Sequence, residues 1–402
     1  MTSNAITLAT SQVRAARQSR TWLDRARAVA PVIAEWRDAA DQHHHLPEPL
    51  VDSLARADMF TLAADREVGG AEVRDERLVR VVEELSRHDG SVGWNVAIAA
   101  TTAIIATHLP NGSLQQAFAT DPKRTVFAGG LLPKGTAEAL GDGFRLNGRW
   151  TFASGCRQAN WFFAPSVVVA DGEPRLRADG HPDIRVFCVP TSACEILETW
   201  DTLGLRGTGS HDVEIKDVLV GEEWTFPIVL EGPGQPGAVH LANLLPYAAP
   251  AVAAVALGIA RGAIDAFMRL ALDKTPALGT VALVRQHTIH ERVGRAEALL
   301  SAARALLYAT VRELPRTGNW SAPVDDDLKA RIRLASAHAA QSATDVVALL
   351  YTAAGTSSIF VGSVLERSLR DVHVVAQHAA VAPSNIEMVG QYLLGQGLQI
   401  RR

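Results

Sequence analysis

Apolar side chains recur at spacings of three and four residues over the first 120 positions of the chain. The segments with this period are TWLDRARAVAPVIAEW, PEPLVDSLARADMF and RLVRVVEELSRHDGSVGWNVAIAATTAIIATHL. Residues at such spacings share one face of a helix, so each segment is predicted to be an amphipathic helix. Turn signals such as the Gly-Gly word of REVGGAEV separate the segments. The pattern therefore predicts a helical domain over residues 1–120.

The pattern changes over residues 121–232, where apolar segments become short. FRLNGRWTF, WFFAPSVVVA, DIRVFCVP and DVEIKDVLV are rich in Val, Ile, Phe and Trp, and Gly, Pro and Asp bound them. Such segments are typical of β-strands, because branched and aromatic side chains pack well on a pleated surface. This region is predicted to be an antiparallel β domain.

The helical period returns after the loop LEGPGQPGAVH. Four long segments rich in Ala and Leu follow, at about 241–272, 280–314, 325–353 and 361–380. Long helices joined by short connections favour an antiparallel bundle, here over residues 233–402. The predicted fold class is therefore α+β, in the order helical domain, β domain and four-helix bundle.

Composition excludes several classes of function. The chain has 402 residues, a formal net charge of −4 and no basic run, which argues against nucleic acid as a partner. The apolar run from Leu244 to Ala260 is rich in Ala and contains two prolines, so it is predicted to be a buried helix and not a membrane span. The three cysteines lack disulfide or metal-ligand spacing, which favours a reducing compartment, and we expect the cytoplasm.

No metal site is expected. His43, His44 and His45 are consecutive, and successive helical residues point about 100° apart, so their rings cannot converge on one ion.

A different histidine, His378, is a candidate for a functional residue. If RDVHVVAQHAAVAP is helical, His378 shares an apolar stripe with Asp371, because seven residues make about two turns. Spacing alone leaves open whether His378 is a structural core residue or a functional imidazole.

The three-part order and several words within it resemble the acyl-CoA dehydrogenase superfamily. GRWTFASGCRQANWFF resembles the β-domain segment that lies along the flavin ring, and LGLRGTGSHDVEIKDVLV resembles the later flavin-side strand. Arg370 and Asp371 resemble the Arg-Asp pair of the final bundle helix. The resemblance covers nearly the whole chain and implies an acyl-CoA dehydrogenase-like fold.

The sequence departs from the dehydrogenase pattern where that family carries a Tyr-Glu-Gly-Thr word. Gln377, His378, Ala379 and Ala380 stand there, so no carboxylate is available at that place. This departure resembles the two-component flavin-dependent monooxygenases, the group D aromatic hydroxylases. In that branch a Ser from a FASG-like word and a His near the end of the bundle flank the reactive edge of the flavin. The matching positions here are Ser154 and His378.

The resemblance implies a cofactor, partners and roles for residues. Reduced FMN or FAD would come from a separate reductase, since no dinucleotide-binding motif is present, and would react with O2 to form a C4a-hydroperoxide. Ser154 would hold the N5 hydrogen of the flavin, and His378 would orient the peroxide or accept a proton from the substrate. The other residues predicted to bind the flavin are Trp150, Thr151, Phe152, Trp200, Ser210 and, at the phosphate and from a neighbouring subunit, Arg285.

The predicted reaction is hydroxylation of a small aromatic or heteroaromatic molecule, carried out by a homotetramer. One alternative is an acyl-CoA dehydrogenase whose base has moved to Glu297 or Asp345. Another is oxygenation of the nitrogen of an amine or amino sugar. The sequence leaves both open.

Overall fold

A computed structural model describes residues 2–74, 76–230, 237–276, 279–315 and 324–398. The helices that precede the sheet are α1 (Thr2–His43), α2 (Glu48–Arg56), α3 (Glu76–His88), α4 (Gly90–Ala106) and α5 (Asn111–Phe118). The third helical segment of the sequence pattern is two helices, α3 and α4, because Asp89 interrupts it. Its extended backbone breaks the helix, and its carboxylate accepts a hydrogen bond from the Val92 N–H at 3.0 Å, which caps α4.

The middle of the chain forms one ten-stranded sheet. Its strands are β1 (Phe127–Gly129), β2 (Gly135–Leu140), β3 (Gly143–Trp150), β4 (Trp161–Ala170), β5 (Glu173–Pro174), β6 (Ile184–Pro190), β7 (Glu195–Leu197), β8 (Asp212–Gly221), β9 (Thr225–Val229) and β10 (Val239–His240). The main order is β10-β9-β6-β4-β2-β3-β8-β7, and β1 and β5 both pair with β4. Most neighbours are antiparallel, as predicted.

The prediction of a purely antiparallel domain is wrong in one respect. β4 runs parallel to β1 and β2, and β10 runs parallel to β9. β3 turns back beside β2, and the chain then enters on the other side of β2 as β4, which gives β2 and β4 the same direction. The sheet is therefore mixed. Its inner side holds a separate apolar core that includes Leu146, Phe162, Phe187 and Val213.

The helices that follow the sheet are α6 (Leu241–Asp273), α7 (His287–Val311), α8 (Asp326–Ala354), α9 (Val364–Val375) and α10 (Ser384–Leu393). The predicted boundary between residues 232 and 233 lies outside the described residues. In the described part of the chain, α6 is the one helix long and apolar enough to cross a membrane, but 78% of its most apolar window is buried. It is the central helix of the fold and packs against α3, α4, α7, α8 and α9.

A glycine allows α6 to approach the N-terminal helices closely. A Cβ atom on Gly258 would lie 2.3 Å from the carbonyl oxygen of Glu83 on α3, far inside van der Waals contact. Only glycine fits at such a distance between two backbones. Because α3 leads directly into α4, this contact fixes the position of α4 relative to the bundle, and α4 carries part of the site described next.

Candidate active site

The turn after β3 is fixed to the segment before β8 by backbone hydrogen bonds. The Ala153 N–H donates to the His211 carbonyl at 3.0 Å, and the Gly155 N–H donates to the Thr208 carbonyl at 2.9 Å. Phe152 begins the turn with a positive φ of 60°, a strained backbone for a residue with an aromatic side chain. These bonds bring the side chains of Ser154 and Ser210 together at the end of the sheet.

Three buried hydroxyl groups form a chain at this point. The Oγ atoms of Ser154 and Ser210 are 2.7 Å apart, and Ser210 Oγ is 2.7 Å from Thr208 Oγ1. The Thr208 hydroxyl also donates to the carbonyl oxygen of Leu205 at 2.8 Å. We call these three hydroxyls and that carbonyl the hydroxyl relay. Two of its members, Ser154 and Ser210, are residues that the sequence analysis predicts to bind the flavin.

Trp94 on α4 connects this relay to the bundle. Its indole Nε1–H donates to Ser154 Oγ at 3.0 Å. The same indole meets the imidazole of His378 edge to face, with ring centroids 5.2 Å apart and an interplanar angle of 79°. Ser154 and His378, which the sequence predicts to face one flavin edge, therefore both contact a single indole. The N-terminal domain supplies that indole, the β domain the serine and the bundle the histidine.

His378 does not lie on a helix, contrary to the sequence prediction. α9 ends at Val375, and the His378 N–H donates to the Val375 carbonyl at 3.0 Å in the turn that follows. This turn folds back on itself, because the N–H groups of Val381 and Ala382 both donate to the His378 carbonyl at 2.9 Å. The imidazole is thus held by a compact turn and does not belong to a helical stripe with Asp371.

The tautomer of His378 follows from its surroundings. The Ala380 N–H donates to Nδ1 at 3.2 Å, so Nδ1 is an acceptor and the proton of the neutral ring is on Nε2. Burial without a compensating charge lowers the pKa of His378 to about 4. At neutral pH the ring is a hydrogen-bond donor through Nε2, and it is a weak base. Of the two predicted roles, orienting an oxygen atom fits this state better than accepting a proton.

A buried carboxylate fixes the far end of the relay to the bundle. The Leu205 N–H donates to Asp371 Oδ1 at 2.7 Å, while the Leu205 carbonyl accepts from Thr208. A Cβ on Gly204 would lie 2.4 Å from the backbone of Arg370, so α9 and this loop touch backbone to backbone. Asp371 therefore fixes the relay to α9.

Asp371 lies within the electrostatic influence of a second buried acid, which gives a prediction about pH. Burial and the nearby Asp89 carboxylate raise the pKa of Asp371 to about 7. The folded protein holds this proton between about pH 4 and 7 while the unfolded chain has lost it, so stability falls by up to about 1.4 kcal/mol per pH unit over that range. Asp371→Asn keeps an oxygen for the Leu205 N–H and lacks this dependence. From pH 5 to pH 8, the wild type is expected to lose about 2–3 kcal/mol of unfolding free energy more than the variant in urea denaturation.

Parallel pH profiles of the two proteins would contradict the raised pKa of Asp371. Asp38→Asn is a suitable control, because Asp38 is an exposed carboxylate on α1 that pairs with Arg367 from α9. Removing an exposed charge changes stability by about 0–1 kcal/mol and does not create the slope between pH 5 and 7 that belongs to a buried acid.

Two aromatic side chains lie at the surface beside the relay. The ring of Phe152 is 70% exposed, and Trp200 meets it edge to face with centroids 6.1 Å apart. The Trp200 Nε1–H donates to the Leu205 carbonyl at 3.1 Å, which fixes the indole. Thr151 is also exposed. An exposed phenyl ring next to buried polar groups is the surface that a flat heterocycle with one polar edge would cover.

Trp150 and Arg285, which the sequence predicts to bind the flavin, have no described hydrogen bond or ring contact with Ser154 or His378. Trp150 is 1% exposed, lies in the core of the sheet domain and donates its Nε1–H to the Pro165 carbonyl at 2.9 Å. Its ring cannot lie against a ligand, because alternate residues of a strand point to opposite faces and this one points inward. Arg285 is exposed in the turn before α7, and no described contact joins it to Ser154 or His378.

Both acids proposed for a displaced dehydrogenase base lie on the outside of the bundle. Glu297 is exposed on α7 and pairs with Arg261, and the hydrogen bond to that guanidinium lowers the pKa of Glu297. Asp345 is exposed on α8 and accepts a hydrogen bond from the Gln341 amide at 3.0 Å. Neither carboxylate contacts Ser154, Trp94 or His378 among the described residues, so this alternative is wrong in the residues it named.

Comparison with known proteins agrees with this architecture. The model of the acyl-CoA dehydrogenase N-terminal domain matches residues 16–117, and that of the C-terminal domain matches residues 251–383. An indole-3-acetate monooxygenase of Pseudomonas putida is 32% identical over 357 residues, which are 89% of each protein. The chain belongs to the acyl-CoA dehydrogenase family. The resemblance and the fold class that the sequence predicted are both confirmed.

Further relatives place the chain within this family. The flavin-dependent monooxygenase oxygenase subunit HsaA of Mycobacterium tuberculosis is 24% identical over 367 residues, covering 89% of this chain and 91% of that protein. The structure of XiaF from Streptomyces sp., in complex with FADH2 and glycerol, matches with a TM-score of 0.87 and 22% identity over 98% of this chain and 99% of that one. This acyl-CoA dehydrogenase family member is thus a flavin-dependent monooxygenase.

Sequence reasoning missed Trp94 and Thr208 as parts of the site. Trp94 stands in a segment whose hydrophobic period predicts a helix, and that period assigns the indole no role in the site. A signal was present, because a large indole stands in a helix made, apart from Asn95, of small and aliphatic residues, and a buried indole N–H needs a partner. Thr208 gave no comparable signal, since a threonine in a Gly-rich loop is typical of a turn.

Proposed function

We propose that this monooxygenase inserts one atom of O2 into a small aromatic or heteroaromatic molecule, using reduced FMN or FAD from a separate reductase. The observation that carries the proposal is the arrangement around Trp94, whose indole contacts both Ser154 and His378. Support for an aromatic substrate comes from the relative that acts on indole-3-acetate. The name of HsaA, an oxygenase subunit, supports a separate reductase.

The residues at the site suit a flavin. Ser154 offers an oxygen for the N5 position, and the exposed Phe152 ring with Trp200 beside it offers an apolar platform for a flat ring system. The guanidinium of Arg285 could bind a phosphate of a flavin held by a neighbouring subunit, since its planar fork suits phosphate oxygens. When bound, the reduced flavin supplies the electrons that activate O2.

The protein's own groups then orient the reactants and exclude water. Ser154 is 8% exposed and Trp94 is 7% exposed, so the polar groups they present are largely shielded from solvent. His378 presents Nε2–H as a donor to an oxygen atom, and its low pKa keeps the ring neutral at pH 7. A neutral donor holds an oxygen without delivering a proton to it, which favours oxygen transfer over release of hydrogen peroxide.

The proposal is tested with the purified chain, a generic NADH:flavin reductase and 18O2, using indole-3-acetate and a panel of phenols and heteroaromatics. We expect a product that carries one 18O atom, as seen by mass spectrometry, only when both proteins are present. Catalase is included so that free hydrogen peroxide cannot produce it. FMN and FAD are compared in parallel reactions.

Two results would contradict the proposal. One is consumption of O2 with hydrogen peroxide as the only product across the whole panel, measured in parallel reactions without catalase. The other is anaerobic bleaching of the bound oxidised flavin by an acyl-CoA, which is the reaction of a dehydrogenase. The two outcomes are distinguishable, because the first needs O2 and the second excludes it.

The assembly and the compartment are part of the same proposal. We infer a homotetramer, for which the exposed turn of Ile359, Phe360 and Val361 gives support, because its side chains are 57–88% exposed and apolar. Light scattering is expected to give four times the chain mass of 43.0 kDa, and a monomer would contradict the inference. A cytoplasmic location is in keeping with three cysteines that are all free thiols in the structure.

A further inference from the structure

The hydrogen atoms of the hydroxyl relay can be assigned from its inner end. The Leu205 carbonyl can only accept, so the Thr208 hydroxyl donates its one proton to that oxygen. The hydrogen bond between Thr208 and Ser210 must then be donated by Ser210. By the same reasoning Ser154 donates to Ser210. Every hydroxyl of the relay therefore points inward.

The assignment leaves one open position on Ser154. Its proton is directed at Ser210, and one lone pair of Oγ accepts the indole N–H of Trp94. The second lone pair is the remaining hydrogen-bonding position of this oxygen. In this arrangement Ser154 presents an acceptor, and it has no proton to offer to a ligand.

Reversing the relay is possible at the cost of one hydrogen bond. If Thr208 donates to Ser210, and Ser210 to Ser154, then the Ser154 proton points outward. The Leu205 carbonyl keeps two donors, Trp200 Nε1–H and the Thr208 N–H, each at 3.1 Å. No buried group loses its last partner, but the bond from the Thr208 hydroxyl is lost. A typical hydrogen bond shifts an equilibrium by about 2- to 13-fold, so the inward order predominates by that factor.

We propose that Thr208 and Ser210 are positioning residues that make this site prefer reduced over oxidised flavin. The inference rests on the proposed function, in which Ser154 lies at N5. In reduced flavin N5 carries a hydrogen and donates, and in oxidised flavin N5 has no hydrogen and accepts. The acceptor on Ser154 suits the first form directly, whereas the second requires the reversed relay.

The relay also has no group that can take up the N5 proton of a reduced flavin. Its members are hydroxyls and a carbonyl, and neither these groups nor the Trp94 N–H readily gain or lose protons near neutral pH. Thr208, Ser210 and Leu205 are all 3% exposed or less, which separates the relay from solvent. The hydrogen bond to a reduced flavin therefore does not provide a path by which its N5 proton leaves.

The test measures binding and does not depend on turnover. The dissociation constants of oxidised and dithionite-reduced FMN and FAD are determined anaerobically for the wild type, Thr208→Val and Ser210→Ala. In either variant Ser154 no longer has a preferred inward direction for its proton. The ratio of the oxidised to the reduced dissociation constant is expected to fall about 2- to 13-fold. This lowers the midpoint potential of the bound flavin by about 10–30 mV, since tenfold corresponds to about 30 mV for two electrons.

Thr208→Ser restores the relay and is expected to keep the wild-type ratio, which a purely structural role of Thr208 does not predict. Thr344→Val is the matched control, because Thr344 is a buried threonine on α8 whose hydroxyl bonds to the Ala340 carbonyl at 3.0 Å. The inference is overturned if the ratio of the oxidised to the reduced dissociation constant is unchanged in both Thr208→Val and Ser210→Ala. It is also overturned if Thr208→Ser lowers this ratio as much as Thr208→Val does. If the wild type binds neither form of flavin, the proposed function fails and the inference fails with it.

Discussion

Replacing His378 by alanine is expected to lower the rate of oxygenation of an aromatic substrate by about 10²- to 10³-fold, the usual cost of a preorganised donor. The ring is neutral at pH 7, its Nδ1 is engaged by the Ala380 N–H, and its Nε2–H is the group left for an oxygen atom. Alanine removes that donor and exposes one edge of Trp94. The measurements are the rate at which 18O-labelled product forms, the amount of that product per mole of O2 consumed, and the flavin affinity, which should change by less than about threefold because no charged contact is lost.

Two companion variants make this result specific. His378→Gln keeps an N–H donor on a side chain of similar reach and is expected to recover part of the coupling. His373→Ala removes an exposed imidazole from the preceding turn of α9 and is expected to behave as the wild type. Normal coupling in His378→Ala would exclude the imidazole from the reaction. A pH profile of the wild type should also be flat with respect to His378 down to about pH 5, since its pKa is about 4.

Trp94→Phe is expected to lower coupling by about tenfold, the effect of losing one buried hydrogen bond of about 1–1.5 kcal/mol. Phenylalanine keeps an aromatic ring beside His378 but removes the N–H that donates to Ser154 Oγ. The serine oxygen then gains a free lone pair, which a water molecule can fill, and water at this place favours loss of hydrogen peroxide over oxygen transfer. The readout is the ratio of hydrogen peroxide to oxygenated product.

The matched control is Trp161→Phe. Trp161 also donates its indole N–H, to the Ala117 carbonyl at 3.2 Å, and it stacks on Trp224 away from the site. Loss of that bond should lower thermal stability without raising the peroxide ratio. Equal peroxide ratios in the two variants would show that Trp94 has no special role. The inward order of the relay does not involve the indole N–H, so Trp94→Phe should keep its preference for reduced flavin.

Most of the fold could be predicted from the sequence, because hydrophobic period and segment length differ strongly between its three parts. The helical period identified α6, α7 and α8, whose ends lie close to the predicted ones except at the start of α7. The hydrophobic period could not show the relative direction of neighbouring strands. Whether β4 runs parallel or antiparallel to β2 depends on which side of β2 the chain returns, and no local pattern records that.

The candidate site could be predicted in part. Ser154 and Ser210 were predicted to bind the flavin, and they share a hydrogen bond. Trp150 was predicted to lie against the flavin, but its ring is buried in the core of the sheet domain. The end of α9 was missed because Ala and Gln after Val375 have good helix propensity, so nothing in AQHAA signals a stop. The contact between Trp94 and His378 joins residues of different domains, and such contacts depend on tertiary packing.

The bond between the Leu205 N–H and the Asp371 carboxylate joins positions 166 residues apart. α9 and the turn after it contribute the imidazole of His378 and the Asp371 carboxylate that holds Leu205, and the ribosome makes both after the serine and the indole. A nascent chain that still lacks α9 has the serine and the indole but neither of those groups. The site is thus completed only after α9 and its following turn have been synthesised, and a single proteolytic cut between α8 and α9 that releases the C-terminal piece would abolish activity.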